Sequence, residues 1–183
     1  MILKMPPSGA KPRSPWKTAL VSEQPGQIGI ARCADRNDAL AMAALNLRWD
    51  RDGGAPPRTG FLDEFADAWS SDADHYPAWL ARRADGDPVG FAVGVVARSL
   101  PSLRHGAGGW LHLSRLFVVP DLQGQGVGAR LLDTVIRWSV DSGLYRVQLN
   151  ATDQARAFYR RAGFGSPQDT LMQLVLTDRL PGS

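Results

Sequence analysis

A glycine-rich hexapeptide between an apolar run and a helical pattern most constrains what this chain can fold into. The hexapeptide reads Gln123-Gly124-Gln125-Gly126-Val127-Gly128. It follows the apolar run from Leu111 to Val119, which Pro120 closes. Closely spaced glycines let a backbone turn several N–H groups toward one point, and the free N–H groups of the helix that follows favour an anion there. The order strand, glycine-rich turn, helix therefore predicts a phosphate-binding turn.

Two familiar phosphate-binding turns are excluded by spacing. The dinucleotide-binding fingerprint has the spacing G-x-G-x-x-G, whereas this turn reads G-x-G-x-G. The P-loop requires a lysine after its last glycine, and Ala129 stands there. The lysines are Lys4, Lys11 and Lys17, all near the beginning of the chain. On the turn alone, a glycine-rich loop without a ligand remains the alternative.

The distribution of charge argues against a nucleic-acid partner. Of the 21 Lys and Arg and the 18 Asp and Glu residues, four basic residues and one acidic residue lie in residues 1–26. The remaining 17 of each sign balance over residues 27–183. A nucleic-acid-binding domain would be expected to show a basic excess in its folded part, and this chain does not.

Residues 1–26 and 27–183 differ in pattern. The first segment contains five prolines and no hydrophobic period, which predicts a flexible N-terminal tail. The second, 157 residues long by difference, predicts a single domain. No apolar run approaches the ~18 residues of a membrane span, and the opening stretch is too short for a secretory signal. With Cys33 as the single cysteine, we expect a cytoplasmic protein without a membrane association.

Hydrophobic periodicity predicts strands and helices that interleave along the chain. The predicted strands are 27–33, 79–84, 89–98, 110–119, 146–151 and 171–177. The predicted helices are 39–49, 61–69, 127–140 and 153–161. Asp35 and Thr59 are the candidate N-caps of the first two helices. Interleaved elements with one hairpin, at 85–87, predict an α/β (α+β) fold with a mixed sheet.

Three stretches in sequence resemble the GNAT superfamily of acyl-CoA-dependent N-acyltransferases. They are Leu116 to Pro120, the turn from Gln123 to Ala129, and the helix that runs from Ala155 through Tyr159 to Phe164. The resemblance covers residues 110–164 well and residues 27–109 in element order only. It implies a GNAT-like fold: a central, mixed, mostly antiparallel twisted sheet of about six to seven strands with helices on both faces.

The resemblance also implies acetyl-CoA as cosubstrate and a set of residues that contact it. The backbone of the fourth strand would bind the pantetheine arm and polarise the thioester carbonyl, and the turn would bind the pyrophosphate. The cofactor-binding residues implied are Leu116, Phe117, Val118, Val119, Gln123, Gly124, Gln125, Gly126, Val127, Gly128, Ala129, Thr152 and Tyr159. Tyr159 is the candidate general acid for the leaving thiolate. A tyrosine in the core of an amphipathic helix is the alternative for it.

Two positions depart from the pattern of the family. Thr152 stands where the family often has Asn, and its hydroxyl can still donate a hydrogen bond. Ser114 stands where many members have Glu, and a serine is not a strong base by itself. By strand alternation, His112 lies two residues away on the same face of the strand, and an imidazole can accept a proton near neutral pH. We expect His112 to act directly or through a water on Ser114; an ordinary surface histidine is the alternative.

The predicted activity is transfer of an acetyl group from acetyl-CoA to a primary amine by direct attack. A small cationic acceptor is favoured, because residues 59–76 contain five acidic and no basic residues: Asp63, Glu64, Asp67, Asp72 and Asp74. These acids could equally be the solvated face of a helix.

Other functions stay open: acetylation of a protein N-terminus or lysine, or a non-catalytic acyl-CoA-binding module. A homodimer is left open. No metal is expected, because Cys33 and the three histidines, His75, His105 and His112, lack ligand spacing.

Overall fold

A five-stranded sheet forms the centre of the protein, which was analysed as a computed structural model that describes residues 28–101, 103 and 107–166. The strands are β1 Gly29–Arg32, β2 Ala78–Arg82, β3 Pro88–Ser99, β4 Gly108–Val118 and β5 Arg146–Gln148. The helices are α1 Arg36–Asp52, α2 Phe61–Ser71, α3 Val127–Asp141 and α4 Asp153–Arg161, with a 3-10 turn at Pro120–Leu122. The tail 1–26 and the predicted strand 171–177 lie outside the described residues.

The strand order in the sheet is β1-β2-β3-β4-β5. Neighbours from β1 to β4 are antiparallel, and β5 is parallel to β4. The prediction of a mixed, mostly antiparallel sheet is therefore confirmed. The described residues contain five strands, against the six to seven that the resemblance implied, and the last predicted strand is outside them.

Helices cover both faces of the sheet, as the resemblance implied. A Cβ built on Gly90 of β3 would meet Leu131 of α3 at 3.3 Å. The next residue, Phe91, packs against Phe117 of β4, and Phe117 stacks on Trp49 of α1. Successive strand residues point to opposite faces, so α3 and α1 lie on opposite sides of the sheet.

The helix after the glycine turn was predicted to within one residue, and the predicted bounds of α4 match at both ends. The apolar stripe of α3 is buried as the periodicity indicates, and Gly143, with a φ of 70°, follows the end of that helix. The first helix is longer than predicted. Asp35 is its N-cap, so the helix begins at Arg36, three residues before the apolar spacing. The Asp35 carboxylate accepts hydrogen bonds from the N–H groups of Asn37 and Asp38, each 2.9 Å long.

The prediction of Thr59 as the cap of the second helix is wrong. Helix α2 begins at Phe61, and its N-cap is Gly60, whose φ of 77° favours glycine and which has no side-chain capping bond. The turn between β3 and β4 is shorter than the predicted loop, since β3 extends to Ser99 and β4 begins at Gly108.

Strand β5 is also shorter than predicted, and the reason is its pairing with β4. The two strands pair over three positions, which end at His112 opposite Gln148. Leu149, which was expected to continue the strand, is outside it. The edge of β4 that follows His112 therefore has no β5 partner.

A β-bulge at Ser114 interrupts the pairing between β3 and β4. Val93 pairs with Arg115, whereas the next residue, Gly94, pairs with Leu113, so Ser114 is an extra residue on β4. Because directly paired residues share a face, Arg115 lies on the same face as His112, which pairs with Val95 two residues along β3. Simple alternation, which would group His112 with Ser114 and exclude Arg115, is wrong here.

Candidate functional site

The N-terminus of α3 has no side-chain cap. Its N-cap is Gly126, which makes no side-chain capping bond, and its first turn contains no acidic residue. The N–H of Arg130 bonds to the carbonyl of Gly126 at 3.0 Å, which leaves the N–H groups of Val127, Gly128 and Ala129 ahead of the first helical hydrogen bond. In α1, by contrast, Asp35 caps the equivalent groups. The end of α3 thus keeps its positive partial charge for an external anion.

A cleft of about 670 Å³ opens beside this helix end, between α3, α4 and the end of β4. Eight residues predicted to bind the cosubstrate line it: Leu116, Val118, Gln123, Gly124, Gly126, Gly128, Ala129 and Tyr159. We call this space the cofactor cleft. Its volume falls in the range of small-molecule sites, roughly 300–1,000 Å³.

Glycines keep the cofactor cleft open at the turn. Gly124 and Gly126 have φ values of 76° and 84°, which L side chains rarely adopt. A Cβ on Gly128 would lie 3.6 Å from Leu116, 3.7 Å from Val118 and 3.8 Å from Phe158, so a larger side chain there would occupy the cleft.

Beyond His112, no strand among the described residues pairs with this side of β4; we call it the open edge, and it presents backbone groups beside the cleft. Val119 donates its N–H to Val89 of β3 at 2.9 Å, so its backbone groups point toward β3. The backbone groups of Val118 point the other way. Its carbonyl accepts a hydrogen bond of 2.9 Å from the Gln123 side chain. By alternation, the N–H groups of Val118 and Leu116 both point to this open edge, beyond the last β5 partner.

Tyr159 of α4 is one of the residues that line the cofactor cleft. Its ring is half-buried and packs edge-on against Phe158 and Phe164, with centroids 4.9 Å and 5.7 Å away. Burial raises the pKa of the Tyr159 hydroxyl above its ordinary value. The group therefore remains protonated at neutral pH and can donate a proton or a hydrogen bond.

His112 and Ser114 lie on β4 at the point where β5 ends. The Ser114 hydroxyl donates to the backbone carbonyl of His112 at 3.5 Å, a long contact that does not involve the imidazole. Ser114 is exposed at the bulge and His112 is half-buried. Neither residue lines the cofactor cleft as it stands.

The remaining predicted cofactor residues do not line the cleft: Phe117, Val119, Gln125, Val127 and Thr152. Phe117, Val119 and Val127 are buried in the core. The backbone groups of Phe117 and Val119 point toward β3, whereas the N–H of Val127 lies ahead of the first helical hydrogen bond of α3. Phe117 stacks against Trp49 on the opposite face of the sheet. Thr152 is the N-cap of α4, one turn away from the helix face that lines the cleft.

Part of the lining was missed by sequence reasoning: Leu132, Asp133, Ile136, Ala155, Phe158, Arg161 and Ala162. A signal existed for the α4 residues, because Ala155, Phe158, Tyr159 and Ala162 have the spacing of one helix face. Core packing was the alternative for the α4 face, and in the structure this face forms a wall of the cofactor cleft.

The acidic residues of α2 do not form the unpaired negative surface that was expected. Arg36 of α1 pairs with Asp63 at 2.8 Å and with Asp67 at 3.0 Å, and the two carboxylates raise the pKa of its guanidinium. Arg58 pairs with Glu64. The absence of basic residues within 59–76 was misleading, because both partners come from outside that segment.

Two structural absences concern the described residues alone. Over 28–101, 103 and 107–166, no helix is both long and apolar enough to cross a bilayer. The same residues contain no group of three or more His, Cys, Asp or Glu side chains arranged to hold a metal ion.

Comparison with known proteins identifies the family. Residues 42–164 match the acetyltransferase (GNAT) family, a span that includes β4, the glycine turn and α4. The match covers more than half of the chain, so the protein belongs to the GNAT acetyltransferase family. The search of curated proteins returned no significant match.

Solved structures agree on the fold. A "predicted acetyltransferase with acetyl-CoA" from Clostridium acetobutylicum is 18% identical, with a TM-score of 0.69 over 83% of this chain and 98% of its own. A ribosomal-protein-alanine N-acetyltransferase from Brucella melitensis biovar Abortus 2308 is 22% identical, with a TM-score of 0.64 over 81% and 100%. A glucosamine-6-phosphate N-acetyltransferase from Arabidopsis thaliana is 14% identical, with a TM-score of 0.62 over 81% and 98%.

Proposed function

We propose that the protein transfers the acetyl group of acetyl-CoA to the primary amine of a small molecule. One observation carries the proposal: the uncapped N-terminus of α3 and Tyr159, whose raised pKa keeps its hydroxyl protonated, line the same cleft. A site for an anion at the helix end and a proton donor further along the cleft fit a ligand with phosphates at one end and a reactive thioester at the other.

The residues of the cleft fit acetyl-CoA. The free N–H groups of Val127, Gly128 and Ala129 would donate hydrogen bonds to the pyrophosphate, and the glycines of the turn leave room for it. Arg161, on the last turn of α4, is also a lining residue and carries a positive charge that suits a phosphate. The open edge of β4 offers the N–H groups of Leu116 and Val118 to the pantetheine arm.

The proposed chemistry uses three groups of this chain. The thioester supplies the acetyl group to the attacking amine, and the thiol of CoA leaves. A backbone N–H on the open edge of β4 stabilises the oxyanion, since a fixed strand holds the donor in place before reaction. Tyr159 donates its proton to the leaving sulfur. His112 accepts the proton of the amine, directly or through a water held at Ser114.

The acceptor is proposed to approach from the face of the sheet that carries α1, which we call the acceptor face. The cofactor cleft occupies the α3 face, and the two faces meet where β4 loses its β5 partner, next to His112. The expected preference for a cationic acceptor has less support, because three of the five acidic residues on which it was based are paired with arginines. The proposal is therefore limited to a primary amine.

Release of CoA thiol from acetyl-CoA, measured against a panel of small amines and peptides, tests this function. Turnover with small amines, sensitive to Tyr159→Phe, is the expected result. Turnover with peptides alone would assign the activity to protein N-termini or lysines. Tight acetyl-CoA binding without turnover on any amine would make the protein a non-catalytic acyl-CoA-binding module.

A further inference from the structure

A half-buried arginine on the acceptor face is held by an amide and an aromatic ring. Nη1 of Arg115 on β4 donates a hydrogen bond to Oδ1 of Asn46 on α1. The guanidinium carbon lies 5.9 Å from the ring centroid of Trp49, over the indole face. Asn46 is fully buried. The position of Arg115 is therefore set by two residues of α1 rather than by a carboxylate.

The two supports are themselves fixed. Nδ2 of Asn46 donates to the Asp50 carboxylate at 3.2 Å, so both polar ends of the buried amide are used. Trp49 stacks on Phe117 with centroids 5.8 Å apart and planes inclined at 12°. Such a frame reduces the entropy that Arg115 would lose on binding a ligand.

The charge of Arg115 is not neutralised by contact. Over the described ranges 28–101, 103 and 107–166, no carboxylate oxygen lies within 4.0 Å of its guanidinium. Six other arginines do form such pairs: Arg36, Arg58, Arg82, Arg83, Arg137 and Arg156. A guanidinium has five N–H donors, and the bond to Asn46 uses one of them.

The location of Arg115 relates it to the acceptor. It follows the bulged residue Ser114 and, through pairing with Val93, shares a face with His112, which pairs with Val95. Partners two residues apart on β3 are about 7 Å apart along the strand. The guanidinium and the imidazole thus face the same side of the sheet, near the end of β5 and opposite the lining of the cofactor cleft.

We propose that Arg115 binds an anionic group of the acceptor, a carboxylate or a phosphoryl group a few bonds from the primary amine. The guanidinium fork matches the oxygens of either group in a bidentate way. The inference rests on the proposed function, since it names the acceptor class of the same reaction. The acceptor would therefore be an amine with an acidic group rather than a polyamine.

The test compares matched acceptors that differ in one group. Each aminocarboxylate is paired with its carboxamide, and each aminoalkyl phosphate with its alcohol, and kcat/KM is measured from thiol release. We expect the wild-type protein to favour at least one anionic member by about 10-fold or more, the scale of a hydrogen bond to a charged group. The two series distinguish a carboxylate from a phosphoryl group.

Substitution assigns the preference to Arg115. Arg115→Met should remove the preference, mainly through a higher KM for the anionic acceptor, while acetyl-CoA affinity stays unchanged. Arg115→Lys should restore part of it. Arg32→Met is the matched control, because Arg32 also lies over a tryptophan, at 5.2 Å from Trp138, but on β1. The control should keep the full preference.

Two results would overturn the inference. If the wild-type protein has equal kcat/KM values for each neutral acceptor and its anionic partner, it has no anion site; this outcome needs no variant. If Arg115→Met lowers kcat/KM equally for the anionic and the neutral acceptor, and Arg115→Lys leaves the preference unchanged, the arginine is a structural link between β4 and α1. Absence of turnover on every amine would instead refute the proposed function.

Discussion

The ring of Tyr159 packs edge-on against the ring of Phe164, with centroids 5.7 Å apart and planes inclined at 67°. Phe164 lies just beyond the end of α4, and its N–H donates to the carbonyl of Tyr159 at 3.0 Å. The chain therefore turns back on the tyrosine immediately after the helix. This turn helps to fix the ring and to bury it, and burial is what raises the pKa of the hydroxyl.

The first prediction concerns the hydroxyl of Tyr159. Tyr159→Phe keeps the ring and its contacts with Phe158 and Phe164 while it removes the proton donor. We expect kcat to fall by about 10²-fold, the scale of general acid catalysis, with little change in acetyl-CoA affinity. Tyr145→Phe is the control, because Tyr145 is 62% exposed and outside the cleft. Equal turnover in both variants would return Tyr159 to a packing role.

The pH profile gives a second check on the same group. A general acid must be protonated to act, so its activity is lost as pH rises through its pKa. Because burial raises the pKa of Tyr159, the midpoint of a loss caused by its ionisation should lie above the ordinary value of about 10. A tyrosine-dependent loss of kcat below pH 9 would contradict this assignment.

The next prediction places the phosphates of CoA at the glycine turn. Gly126→Glu puts a carboxylate beside the uncapped N-terminus of α3, where an anion should bind. Acetyl-CoA binding, measured by calorimetry, should weaken by at least about 10-fold. Gly143→Glu is a matched control at the other end of the helix, with a φ of 70° and no atom within 4 Å of its Cβ. Unchanged affinity in a folded Gly126→Glu protein would remove the phosphate assignment.

Local pattern was sufficient to predict the turn and its helix. The sequence from Gln123 to Gly128 determines its own conformation through glycine, and the stripe of α3 needs only helical spacing to be recognised. Likewise, Asp35 accepts hydrogen bonds from the N–H groups of Asn37 and Asp38, two and three residues further along the chain. Features determined within a few residues could therefore be read without knowledge of the fold.

Features that depend on distant pairing could not be predicted in this way. Arg36 pairs with Asp63 and Asp67, which lie 27 and 31 residues away in sequence. The segment 59–76 by itself therefore contains the acidic residues without their basic partner. The bulge at Ser114 exists only in relation to β3, and it brings Arg115 onto the face of His112. The link from Arg115 to Asn46 spans 69 residues. The acceptor face was consequently the least predictable part of the site.

A third prediction concerns Arg161, the arginine among the residues that line the cofactor cleft. Arg161→Gln should weaken acetyl-CoA several-fold and reduce the salt dependence of binding, because a phosphate contact is lost and charge screening then matters less. Arg160→Gln removes the same charge from the adjacent position, which does not line the cleft. Equal effects of the two substitutions would indicate a general attraction by the last turn of α4 rather than a contact.

The last prediction tests whether the packing around the bulge requires glycine in β3. A Cβ on Gly94 would lie 2.7 Å from Leu111 Cδ1 and 2.9 Å from the His112 carbonyl oxygen. A backbone carbonyl in a sheet cannot move aside as a flexible side chain can. We expect Gly94→Ala to lower the free energy of unfolding in urea by about 1–3 kcal/mol, the usual cost of overpacking.

Gly29→Ala on β1 separates this packing effect from the loss of a glycine. No atom lies within 4 Å of a Cβ on Gly29, so the substitution has no steric cost there. Alanine restricts the unfolded chain, which stabilises a compatible site by about 0.4–1 kcal/mol. The two variants share that term, and their difference measures the clash at Gly94. Leu111 and His112 lie on β4 shortly before the bulge at Ser114. A destabilised Gly94→Ala protein should therefore also lose more in kcat than in acetyl-CoA affinity. Equal stability of the two alanine variants would mean that β4 can shift at the bulge without cost.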